Sequence, residues 1–155
     1  MTHNLRYIKQ TALLMIVLII TAAGGATGAD ADGDGVVPLA LRAIMDELNR
    51  NMRAVTDAVS LENWEQAAIT ALRIADHPQP PMMEKLRILS FAGSDVRKFK
   101  NFNSQTRLAA THLEEVAGKA DGQAVIAAFA ALQSSCLDCH QDLRKPFKEH
   151  FYGRQ

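Results

Sequence analysis

From Val37 to Val59 apolar residues return every three or four positions: Leu41, Ile44, Met45, Leu48, Met52, Val55 and Val59. That spacing puts them on one face of an amphipathic helix. Ser60 is read as the N-cap of a second helix with Glu62 in its first turn. Leu61, Trp64, Ala68, Ala71, Leu72 and Ala75 form its stripe. "HPQPPM" ends it, because prolines lack the backbone donor a helix needs. "MMEKLRILSFAG" reads as a short helix or a turn. Asn103 or Ser104 is expected to cap a third helix through Leu108, His112, Leu113 and Val116. "GKADG" breaks it. Asp121 caps a fourth, whose face reads Val125, Phe129, Leu132, Cys136, Cys139, His140 and Leu143. Pro146 is expected to end or kink that helix. No stretch alternates strongly with period two. Four amphipathic helices joined by mostly short links predict an all-α, antiparallel four-helix bundle, with one long, proline-rich link in its middle.

The first thirty residues have a different pattern. "MTHNLRYIKQ" carries Arg6 and Lys9 and no acid, "TALLMIVLIITAA" is apolar and uncharged, and small residues come next. This is the layout of a secretory signal peptide. Its apolar run of about 13 residues is shorter than the roughly 20 that span a bilayer. An uncleaved anchor is the alternative. The organisation read from this is a signal peptide over 1–29 and a helical domain over 30–155, working in the periplasm, where disulfides are permitted. Formal net charge is zero over the 155 residues, which speaks against a nucleic-acid partner.

The chain has two cysteines, and they stand in "SSCLDCHQDLR". A thioredoxin-like redox pair needs a βαβ context that is absent. Structural zinc needs four ligands, and the motif offers three, leaving His77, His112 or His150 to supply the last. A disulfide between Cys136 and Cys139 is awkward on a helical backbone. Covalent attachment of one haem c accounts for every residue. Thiols three apart share a helix face and reach the two vinyl groups of one macrocycle. His140 can turn under the porphyrin as the proximal iron ligand.

A C-x-x-C-H on the last helix of a four-helix chain resembles the cytochrome c′ and cytochrome c556 family, the class II c-type cytochromes. "CLDCHQDLR" is similar to that family's closing signature, in which an arginine comes four residues after the histidine. The resemblance thereby implies that Arg144 lies near the haem edge, whereas by residue type alone it is equally a solvated surface arginine. "AIMDELNRNM" is similar to the first helix of the c556 branch, which makes Met45 the implied sixth ligand. On packing grounds alone a methionine in that stripe is core filler. In the cytochrome c′ branch a non-ligating side chain sits there and the iron is five-coordinate. The resemblance covers nearly the whole mature chain in layout and is specific at the C-terminal motif.

Function depends on the sixth ligand. With Met45 bound to iron, the expectation is a low-spin, one-electron carrier serving periplasmic or membrane redox proteins. With the distal side open, it is a binder of nitric oxide or carbon monoxide. A third reading drops haem and leaves a secreted helical binding module with a disulfide or zinc. Phe129 and Leu132 are expected to line the haem pocket, and His112 is a further distal candidate, though a core-edge histidine by type. No Ser/His/Asp arrangement, Gly-rich phosphate loop or paired carboxylates suggest an enzyme. The family often forms homodimers through its first two helices, and no residue in this sequence decides that.

Overall fold

The computed structural model describes residues 37–153, and the signal peptide expected over 1–29 lies outside them. The described residues are all-helical, with no strand. Their order is α1 (Ala40–Ser60), α2 (Trp64–Ala75), α3 (Met82–Ala92), a 3₁₀ turn (Gly93–Asp95), α4 (Val96–Ala117), α5 (Gly122–Cys139), a π-helical turn (His140–Arg144) and α6 (Lys145–Tyr152). No described helix is long and apolar enough to cross a membrane.

Four helices enclose one core. Val55 and Ala58 of α1, Ala67, Ala71, Ile74 and Ala75 of α2, Ala110, Leu113, Val116 and Ala117 of α4, and Val125, Ala128 and Leu132 of α5 form a single buried cluster. More than half of these are alanines, so the backbones approach closely and the larger side chains fill what remains. Neighbours run antiparallel. Ser135 Oγ donates to Thr106 Oγ1 at 3.2 Å, and Asp142 pairs with Lys98, so α5 descends as α4 rises. Contact is close along α1–α2, α2–α4 and α4–α5 and sparse along α1–α5.

Helix ends depart from the sequence reading in two places. Ser60 does not cap α2: it is the last residue of α1, its hydroxyl donating to Thr56 O at 2.9 Å. Asn63 caps instead, accepting from Gln66 N at 3.0 Å, after Glu62 turns the chain at φ 53°. The third helix does not start at Asn103 or Ser104 but at Val96, and Asn103 is a mid-helix residue beside His77. A tertiary partner for Asn103 outweighs its preference for a cap. Asp121 caps α5 as expected, accepting from Ala124 N at 3.1 Å. In "GKADG" the left-handed residue is Ala120, at φ 55°. Gly122 serves a different need: a Cβ there would stand 3.1 Å from the Trp64 ring.

The proline-rich link holds α3, which closes one end of the bundle. Glu84 caps α1 from across the fold, its carboxylate accepting from Ala40 N (2.7 Å) and Leu41 N (2.8 Å). Arg107 does the converse for α2, donating to Ala75 O (2.5 Å) and His77 O (2.7 Å). Each supplies charge of the sign that the helix end favours.

Candidate functional site

Cys136 and Cys139 occupy the last turn of α5 and His140 opens the π-helical turn after it, at the end closed by α3. The turn is placed by what precedes it. Leu132 is fully buried in the core, and Phe129 packs against the same cluster. Ser135 is buried, its hydroxyl oxygen 2.8 Å from Leu132 O. Cys136 rests against the core. The helix face that fixes the backbone therefore runs directly into the motif.

Both cysteines are half-buried free thiols. Burial pushes the Cys136 thiol up, against a lowering hydrogen bond from Ser135. Burial, with Cys136 and Asp142 adding to it, pushes Cys139 up to about 11. At neutral pH both keep their protons. This is the opposite of the lowered thiol that a dithiol redox catalyst or a thiolate nucleophile requires. The His140 imidazole is lowered, first by burial and then by the Arg144 guanidinium. It is therefore neutral at pH 7, with a lone pair free to bind iron.

Arg144 and His140 line one open hollow of about 340 Å³ with Lys145, Lys148, Glu149 and Gly153. Met45 does not line that hollow. It lies on the flank of the α1 stripe, after buried Ile44, and is 40% exposed. Its helix meets α5 along a sparse seam.

The other described histidines, His77, His112 and His150, lie elsewhere. His77 Nδ1 donates to Ile74 O at 2.8 Å, and its other ring nitrogen lies 3.2 Å from Asn103 Oδ1. His150 packs against the rings of Phe91 and Phe151. His112 is exposed beside Glu115, six residues past Thr106, or about 9 Å further from the motif along α4. No group of three or more His, Cys, Asp or Glu side chains gathers to hold a metal ion among the described residues. None of the three histidines supplies the fourth ligand that structural zinc would need.

Three residues that organise this end carry no sequence signal: Glu84, Arg107 and Tyr152, whose hydroxyl accepts from Leu39 N at 3.3 Å. Each partner lies about 30 or more residues away, so no local pattern marks it. No protein-family model matches the chain, and neither a curated protein nor a solved structure is similar to it.

Proposed function

We propose that the chain is a periplasmic monohaem c-type cytochrome of the c′/c556 kind that carries single electrons. The observation that carries this reading is the chemistry at the end of α5: two protonated, unpaired thiols on one helix face and a neutral imidazole beside them. Thioether attachment consumes the two thiols, and iron ligation uses the lone pair of the imidazole. A bound haem supplies a one-electron couple at its iron; the helices supply attachment, shielding and fixed ligands.

The rest of the site supports the group. Arg144 places a cation beside the proximal ligand. Leu137, inside the motif, and Met45, on α1, leave apolar surface exposed at this end. Met45 is the sixth ligand in this reading, which makes the iron low-spin and raises its potential. Redox proteins of the periplasm or its membrane would be the partners, met through small transient interfaces.

One observation favours the second reading, a five-coordinate binder of nitric oxide or carbon monoxide. Met45 is 40% exposed, and α1 meets α5 along a sparse seam, so packing does not hold its thioether at the end of α5.

Intact mass of the chain secreted by a host that matures c-type cytochromes tests the proposal. A gain of one haem supports it, and Cys136→Ser/Cys139→Ser abolishes the gain. A wild-type mass equal to the bare processed polypeptide would falsify it. Met45→Ala then separates the branches: the carrier turns from low-spin to high-spin, and the gas binder does not change.

A further inference from the structure

The last helix does not stop at the motif. It widens into a π-helical turn over His140–Arg144 and resumes as α6, with Pro146 second in the new segment. Residues on both sides of the turn keep right-handed helical angles, so the chain from Gly122 to Tyr152 is one helix with one wide turn. Pro146 explains the location. In a regular α-helix it would leave the Asp142 carbonyl without a donor and crowd it with the ring. A turn that pairs five residues apart moves that carbonyl away.

The wide turn also resets the phase of the helix. In an uninterrupted α-helix each residue advances about 100°, so Phe147 would stand roughly 60° and Phe151 roughly 100° from the line of Leu132, while His150 would fall on it. One extra residue in the turn sets everything after it back by about 100°. Phe147 and Phe151 then continue the buried stripe, and His150 swings to its flank. The structure has this phase. Phe147 and Phe151 are half-buried and His150 is exposed. Phe91 of α3 meets Phe147 edge-on at 5.5 Å and Phe151 at 5.6 Å, with His150 tilted against it from the flank at 5.0 Å. Arg87 lies over the Phe151 ring at 5.6 Å.

We propose that Pro146 is a positioning residue for His140: the π-turn it enforces docks α6 on Phe91 and so anchors the segment that follows the imidazole. His140 is thereby held from both sides, by a core-anchored α-turn before it and an α3-anchored segment after it. The role toward iron rests on the haem c reading. The phase of the helix does not.

Crystal structures of the wild-type chain and Pro146→Ala, purified alike, test the phase. The wild type shows the π-turn and the Phe91–Phe151 contact; the variant runs as continuous α-helix and loses the contact. Deleting Gln141 in the Pro146→Ala background removes the extra residue and restores Phe151 to Phe91. A π-turn that persists without Pro146, or an aromatic contact that the deletion does not restore, overturns the proposal. The ferric electron paramagnetic resonance of the same proteins tests the positioning. A shift of the g-values in Pro146→Ala, with helicity and haem content kept, supports it. Unchanged g-values in a re-phased helix overturn it, because a purely structural proline would not move them. A wild type that carries no haem also overturns the positioning role, and mass alone reveals that case.

Discussion

Where α1 meets α2 and α4 meets α5, the links are residues 61–63 and 118–121, and side-chain caps are local: Asn63 and Asp121. Trp64 lies over Gly122, and Val55, Leu113 and Val125 behind it are wholly buried. At the opposite end the caps come from far along the chain, through Glu84, Arg107 and Tyr152. Met82 and Met83 are 70% and 72% exposed there, and Leu137 and Met45 also reach solvent. One end is closed by shape, the other by polar reach and an aromatic contact. The motif sits at the second.

The contrast breaks first if the close-packed end does not carry the stability. Leu113 is fully buried between four helices, and Leu113→Ala removes its side chain with little room for collapse. The expected loss is about 2–5 kcal/mol, read by urea denaturation. A loss below about 1 kcal/mol would mean the core relaxes freely, and the two ends would not differ as described.

Glu84→Ala acts at the other end and is expected to cost about 1 kcal/mol, the usual size of a lost helix cap. Its location matters more than its size. Amide exchange should quicken at Ala40 and Leu41, whose donors lose their acceptor, while Leu113 keeps its protection. Uniform quickening along the whole chain would show that the ends are not separable.

The same contrast explains what the sequence makes visible. The stripe of α5 is legible from Val125 to Cys139 because burial and helical period coincide there, and Asp121 marks its start. The capping of α2 is not. Ser60 and Asn63 are both good caps, and the choice is made by Glu62 adopting a left-handed turn. The start of α4 is hidden because Asn103 has cap chemistry and a tertiary partner, and the partner prevails. Pro146 signals an interruption, but not where the re-phased segment docks, because that depends on Phe91, 55 residues upstream of it in the chain. Of the candidate site, Cys136, Cys139, His140 and Arg144 are brought to one end by local helical spacing alone. Met45 depends on how α1 lies against α5, a tertiary matter on which no spacing bears.

The smallest effect concerns the site itself, in chain carrying no haem. Cys139 gives up its proton near 9.0 when unfolded and at about 11 when folded, mainly because of burial. Below pH 9 both states hold the proton and stability is unaffected. Between pH 9 and 11 the unfolded chain has released it and the folded chain has not, so the unfolded state binds fewer protons and stability falls as pH rises. Cys136 is raised in the same direction and adds to the slope. Lys98 has a folded pKa raised by Asp142, so its contribution is lost as pH rises through that value; it must be held constant by comparison. Denaturation of wild type and Cys139→Ser across this window isolates the thiol: the wild-type curve should fall more steeply. Equal slopes would place Cys139 in contact with water when folded, and the end of α5 would then lack the partly dry face on which both thiols keep their protons until they react.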